Sequence, residues 1–298
     1  MKLVPKIDIH VHAVPFPMLR RRDGSPFADP KELRRIYDLI GVEKGVLLPD
    51  GVYEAGSGDC VSPREAYLMA RDFPETFGWW FSPISPFAGA NTPDNDLSFY
   101  LNQYKEWGAK GVGEIEENLP FDDPYMENLF KHCEACGMPV IFHLGDKGGD
   151  YGIVDGLGLY GLEKALQKFP KLLFFGHSQK FWAEISDCDE ITRNLYPEGK
   201  VNPGRLVELF RKYPNLQGDL SAGSGANAIL RDPEFGCQFL EEFSHQLYFG
   251  TDICAPQPDV TRVARLSRFL DDAVMNGKIS YETYERVSRG NALDLLEK

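Results

Sequence analysis

The sequence contains no apolar run approaching the ~20 residues that a membrane-spanning helix requires. Its first residues, MKLVPKIDIHVH, lack the apolar stretch and small-residue cleavage site of a secretory leader. Both absences predict a soluble, cytoplasmic protein. Positive charge is scarce: 32 Lys and Arg stand against 45 Asp and Glu, a net charge of −13. Such a field repels phosphate backbones and anionic bilayers, so neither nucleic acid nor a membrane is expected as a partner. Cysteine is sparse as well. The six, Cys60, Cys133, Cys136, Cys188, Cys237 and Cys254, are scattered through a chain of 298 residues that needs no disulfide staples. Reduced thiols are expected. Cys133 and Cys136 lie close together beside His132, but the segment MENLFKHCEACG has helical apolar spacing and no second ligand pair, so it reads as an ordinary helix rather than a zinc or redox motif. No linker, repeat or low-complexity segment divides the chain, and residues 1–298 read as one domain.

What the chain does have is regular alternation. Strand-like runs occur at 4–11, 43–48, 77–84, 110–115, 139–144, 171–176, 216–221 and 246–252. Helical periodicity fills 30–40, 62–72, 95–107, 123–136, 158–168, 203–212, 233–243 and 259–275. Eight β-then-α units at a spacing of about 30 residues predict an α/β chain folded as a (β/α)8 TIM barrel. A further helical pair, 280–288 and 290–296, is expected to pack on the barrel exterior. Two connections are longer than usual, 13–30 after strand 1 and 178–201 after strand 6. Long loops on this side of a barrel shape its active site. The first carries Arg20, Arg21 and Arg22, and the second carries Lys180, Trp182 and Arg193.

Histidine is as rare, with six in the chain, and this makes their placement informative. His10 and His12 end strand 1, His143 closes strand 5 and His177 closes strand 6. Asp252 ends strand 8. Strand alternation sends Asp8, His10 and His12 to one face and Ile7, Ile9 and Val11 to the other, so the polar set is expected to point into the barrel, where two imidazoles can meet a metal ion. Glu114, with Glu116 on its face and Glu117 on the other, ends strand 4. A buried carboxylate there needs a cation or donors, so it either binds a metal, orients a histidine or accepts from loop amides. The turn Ser221-Ala222-Gly223-Ser224-Gly225 after strand 7 offers successive N–H groups to an anion, which makes Ser221 and Gly223 candidate substrate contacts alongside Lys180 and Trp182.

The constellation His10-x-His12, His143, His177 and Asp252, with IDIHVH at the start, FGHSQKFWAEIS after strand 6, FGTD at strand 8 and RGNALDLL at the end, resembles the amidohydrolase superfamily of metal-dependent barrel enzymes. The nearer likeness is to the branch that includes the aminocarboxymuconate-semialdehyde and resorcylate decarboxylases. The resemblance implies that His10, His12, His143 and Asp252 ligate a divalent ion, zinc or else manganese. It implies that His177 binds a second ion or acts on substrate. Where binuclear relatives place a carbamylated lysine or a glutamate on strand 4, this chain has Glu114, so one or two ions are compatible.

The chemistry implied is hydrolysis of an amide, lactone or ester bond in a small, carboxylated substrate, with Asp252 moving the proton and His177 contacting the developing oxyanion, a contact of ~3 kcal/mol. The alternative is nonoxidative decarboxylation of an unsaturated or aromatic acid. The resorcylate type resembles a Glu-x-His pattern on strand 1, whereas this chain has two histidines, which favours hydrolysis. Arg20 to Arg22, Arg64, Lys147 and Lys180 are available to an acidic substrate, and a homo-oligomer is compatible with the sequence.

Overall fold

The computed structural model describes residues 2–17, 20–21, 24–49, 61–149 and 151–297. Arg22 and Cys60 lie outside the described residues. The strands are β1 (Lys6–Val11), β2 (Val42–Leu47), β3 (Phe77–Ser82), β4 (Ala109–Ile115), β5 (Val140–Gly145), β6 (Ile153–Val154), β7 (Phe174–His177), β8 (Leu216–Asp219) and β9 (Leu247–Tyr248). They pair in parallel in the order β1-β2-β3-β4-β5-β7-β8-β9, with the short β6 added beside β5. The ring closes where β1 meets the segment after β9: Ile9 N–H donates to Phe249 O at 3.0 Å, His12 N–H to Ile253 O at 3.0 Å, and Asp252 N–H to His10 O at 2.8 Å. This is the expected (β/α)8 barrel.

Helices α1 (Pro30–Ile40), α2 (Pro63–Asp72), α3 (Ser98–Glu106), α4 (Pro124–Cys136) and α5 (Tyr160–Lys168) follow the first five barrel strands. Their ends are set locally. Asp29 caps α1, Pro30 fills its first position, Glu32 completes a capping box and Gly41 ends it in the left-handed region. Asp123, Pro124 and Gly137 do the same for α4. The remaining helices are α6 (Gln179–Ala183), α7 (Arg205–Lys212), α8 (Ala222–Leu230), α9 (Pro233–Glu242), α10 (Val260–Val263), α11 (Arg265–Met275), α12 (Tyr281–Glu285) and α13 (Asn291–Leu296). The single helix expected at 259–275 is thus divided at Ala264. The glycine-rich segment expected to be a turn begins α8 instead. A side chain at Gly225 would lie 2.4 Å from the Leu220 backbone, so the glycine lets α8 sit on the strand end despite its low helix propensity.

Two apolar clusters fill the molecule. The larger lies between strands and helices and includes Val11, Leu33, Tyr37, Leu47, Phe130, Phe142, Phe181, Trp182 and Phe210. The smaller takes Ile7, Ile9, Val46, Leu48, Phe81, Ile141, Phe175 and Tyr248 from or beside barrel strands, the arrangement of a barrel interior, and joins them to Ala292 and Leu296 of α13. The C-terminal segment therefore does not pack on the barrel exterior as expected. It floors the barrel at the N-terminal ends of the strands, where Asn291 donates to Ser244 O and Leu247 O.

The alternation expected for β1 is also corrected. Ile7 and Ile9 point into the barrel, while Asp8 turns outward and accepts from the Tyr37 hydroxyl of α1 at 2.7 Å. Gly45, opposite Asp8, leaves room: a Cβ there would lie 2.2 Å from the Tyr37 hydroxyl. Between Asp8 and Val11 the register with β2 shifts, and this irregularity resets the phase so that His10 and His12 face inward after Ile9.

Candidate metal centre

His10 and His12 reach the barrel mouth with their outer nitrogens already committed. His10 Nδ1 lies 2.6 Å from Asp219 Oδ2, and His12 Nδ1 lies 3.0 Å from Leu48 O. Both acceptors require a proton on Nδ1, which leaves each Nε2 as a lone pair. These two lone pairs are 2.9 Å apart. Glu114 Oε2 stands 3.3 Å from His10 Nε2 and 3.5 Å from His12 Nε2, and Asp252 Oδ1 stands 3.6 and 3.3 Å from the same atoms. Four electron-pair donors so close together repel one another unless a positive charge lies among them. Ligands about 3.0–3.5 Å apart are what a divalent ion with ~2.0–2.2 Å bonds gathers, so the donor set fits such an ion.

The other oxygen of Glu114 serves a different pair. Its Oε1 is 2.9 Å from His143 Nδ1 and 3.8 Å from His177 Nε2. His177 Nδ1 is held by Ser221 Oγ at 2.9 Å, again freeing Nε2 for the centre. Asp252 Oδ2 lies 3.8 Å from that same Nε2. One carboxylate thus stands between two histidine pairs, the geometry of two adjacent cation positions sharing Glu114.

Charge and exposure separate the acidic groups. Burial opposes the charged form of His10, but Asp219 and Glu114 outweigh it and lift the imidazole to about 10, so the Nε2 lone pair holds a proton wherever no metal ion takes it. Burial likewise opposes charge on His12, and Asp252 and Glu114 raise it. Burial would raise Glu114, yet His10 and His177 hold it well below the usual carboxylate range. Burial lowers His177, and the neighbouring His10 lowers it further, keeping that ring neutral. The cluster therefore attracts positive charge. Within it Asp219 has no exposed side-chain surface and Glu114 has 6%, whereas Asp252 has 28%. Asp252 alone of the three carboxylates faces the mouth appreciably. It is held there in the left-handed region at φ 55°, which turns its carboxylate toward the histidines while its N–H pairs with β1.

His10, His12, Glu114, His143, His177 and Asp252 are brought together as the sequence suggests. The candidate substrate contacts scatter. Trp182 is buried between Phe181 and Phe210 in the outer core, and its indole N–H donates to Asp219 O at 2.9 Å, so it supports the site from behind. Ser221 is fully buried and spent on His177. Lys180 pairs with Asp146 at 2.7 Å beside the end of β5. Gly223 lines a separate cavity with Tyr196 and Arg262. Of the loop cations, Arg193 is buried against Glu184 at 2.7 Å, Arg20 donates to Gly24 O, and Arg21 lies over the Phe27 ring. Cys133 and Cys136 are free on α4, Cys133 in the core, and they join no metal-ligating group among the described residues.

Asp219 is the site residue that the sequence reading passes over. The signal was there: alternation in LQGDLS puts Gln217, Asp219 and Ser221 on one face, in phase with the other inward polar residues. Asp8 was read as facing inward. It instead accepts from His10 N–H at 3.0 Å, from Thr251 N–H at 2.9 Å, and from the Thr251 hydroxyl, so it ties β1 to the segment bearing Asp252. Burial pushes its carboxyl up to about 6.

The barrel has counterparts among solved structures. Dihydroorotase from Campylobacter jejuni matches at a TM-score of 0.56 and 14% identity, covering 100% of this chain and 85% of that one. A 2,6-dihydroxybenzoate decarboxylase bound to 2,6-dihydroxybenzoate matches at 0.55 and 14%, covering 99% and 100%. The 5-carboxyvanillate decarboxylase of Novosphingobium aromaticivorans, complexed with manganese, matches at 0.52 and 15%, covering 89% and 80%. The chain has the barrel fold of the amidohydrolases and of these decarboxylases. No protein-family model and no curated protein matches its sequence.

Proposed function

We propose that the chain is a metal-dependent hydrolase that acts with water on an amide, lactone or ester bond of a small, carboxylated molecule. One observation carries this reading: His10, His12, Glu114 and Asp252 place four donor atoms 2.9–3.6 Å from their neighbours at the mouth of the barrel. His143 and His177 complete a second position on the far oxygen of Glu114. Zinc suits the imidazole-rich set and manganese the carboxylates, and two ions per chain are proposed. A divalent ion held there would polarise a carbonyl and lower the pKa of a bound water towards ~7.

The chain's own residues supply the rest. Asp252, the most accessible of the three carboxylates, takes the proton of the attacking water and returns it to the leaving group. His177, kept neutral and fixed by Ser221, positions the reacting carbonyl. Asp219 touches no substrate; it holds the tautomer and ring plane of His10. Lys180, although paired with Asp146, stands by β5 and can meet a substrate carboxylate.

The fold likeness to two decarboxylases favours a second reading, nonoxidative decarboxylation, in which Asp252 or His177 delivers a proton to carbon. Metal-loaded protein offered lactones, amides and aromatic or unsaturated carboxylates, with acid release and CO2 followed in parallel, separates the two. Acid release without CO2 supports hydrolysis, and CO2 overturns it in favour of the second reading. Loss of neither reaction in Asp252→Asn overturns both.

A further inference from the structure

A second polar concentration lies outside the metal cluster. A cavity of about 550 Å³ is lined by Arg231, Arg262 and Arg265 together with Tyr196, Gly223 and the single carboxylate Glu198. The arginines come from three places: the end of α8, α10 and the start of α11. The wall is built from rim segments that follow β7, β8 and β9, and Gly223 is two residues beyond Ser221, which holds His177.

These arginines gather round one cavity without being spent on carboxylates, as several others are: Arg34 on Asp38, Arg205 on Glu163 and Glu208, Arg211 on Glu242, Arg286 on Asp294 and Arg289 on Glu43. Among the described residues, the side chains of Arg231, Arg262 and Arg265 have no hydrogen bond or ion pair. Arg231 is the most telling, because its Nε and Nη2 are both buried and unpartnered. Buried donors of a charged group are costly unless something accepts from them. The neighbouring Asp232 does not, since it already takes Lys200 Nζ at 3.2 Å and Val201 N–H at 3.0 Å. Gly223 keeps the space open, for a Cβ there would lie 3.0 Å from Arg262 Nη2 and 3.2 Å from the Tyr196 ring.

We propose that this cavity binds a multiply charged oxyanion, a phosphate group in particular. Three guanidinium forks against one carboxylate make a cationic site within a chain of net charge −13. The planar fork donates two parallel N–H bonds to a phosphate or carboxylate, and a tetrahedral phosphate offers oxygens to all three arginines where a flat carboxylate offers two. The site does not depend on the reading of the metal cluster.

The test is calorimetric titration of the full chain at low ionic strength with inorganic phosphate and, separately, succinate. One saturable phosphate site is expected, weakened at least about tenfold in Arg262→Ala/Arg265→Ala, which removes charge-assisted hydrogen bonds. Both side chains are exposed, so the fold is not at stake. Arg268→Ala, an exposed arginine on α11 that does not line the cavity, is expected to bind as the parent does. His10→Ala/His12→Ala is expected to retain phosphate binding, which distinguishes this site from the metal centre. The proposal is overturned by absence of saturable phosphate binding, by unchanged binding in the double arginine variant, by equal weakening in Arg268→Ala, or by loss of binding in the double histidine variant. Tighter binding of succinate than of phosphate overturns the phosphate assignment.

Discussion

The two ends of this barrel bury charge in opposite ways. At the N-terminal end Lys6 is buried, but it is paired with Asp271 and approaches the Tyr284 hydroxyl at 3.3 Å, while α13 closes the interior with Ala292 and Leu296. The buried charge meets its acceptors there. At the C-terminal end the outer nitrogens of His10, His12 and His177 are satisfied by Asp219, Leu48 and Ser221, and this satisfaction leaves their inner lone pairs facing Glu114 and Asp252. The same strand, β1, serves both ends: Ile7 and Ile9 belong to the interior apolar layer, and His10 and His12 to the mouth. A closed hydrogen-bond ledger is what a structural end requires, whereas a surplus of acceptors around one point is what a cation site requires.

The contrast can be broken by substitution. The largest effect is expected for His10→Ala/His12→Ala, in which atomic absorption should find bound divalent metal reduced to background in a folded chain. Retained metal would move the site elsewhere. Next comes Asp252→Asn, which keeps an oxygen near the histidines but removes the proton acceptor. Turnover of any accepted substrate should fall by about 10²–10⁴-fold, measured as kcat. At the other end, Leu296→Ala should cost about 2–5 kcal/mol of stability by chemical denaturation, with metal content unchanged, because it opens a cavity in the barrel floor. A loss of metal in this variant would show that the two ends are not independent. The smallest effect is expected for Asp219→Asn. Metal affinity should weaken by about 10–100-fold while metal remains able to bind at high concentration, since Asp219 positions His10 and is not itself required as a ligand.

Much of this arrangement was legible in the chain. Strand-like runs marked the strands, and apolar residues at three- and four-residue steps marked the helices between them. Rare histidines at strand ends marked the mouth. What was not legible depends on tertiary contacts. The phase change in β1 arises where Tyr37 of α1 draws Asp8 outward, and a strict alternation places Asp8 on the wrong face. Helix α8 forms from a segment rich in Gly and Ser because Gly225 and Gly236 permit close backbone packing, which overrides local propensity. Trp182 sits in a long loop segment that reads as a substrate contact, yet the barrel turns it into the core under Asp219. Ser221 and Asp219 gained their roles only when β7 and β8 were placed side by side.

The most direct measurement is the metal content of the purified, reconstituted chain and of Glu114→Gln, determined by elemental mass spectrometry. Glu114 stands between two histidine pairs with an oxygen toward each. Two divalent ions per chain are expected in the parent, and one or none in the variant. A parent that takes up no divalent ion, or a Glu114→Gln chain that still holds two, would contradict a shared metal centre at the mouth of the barrel.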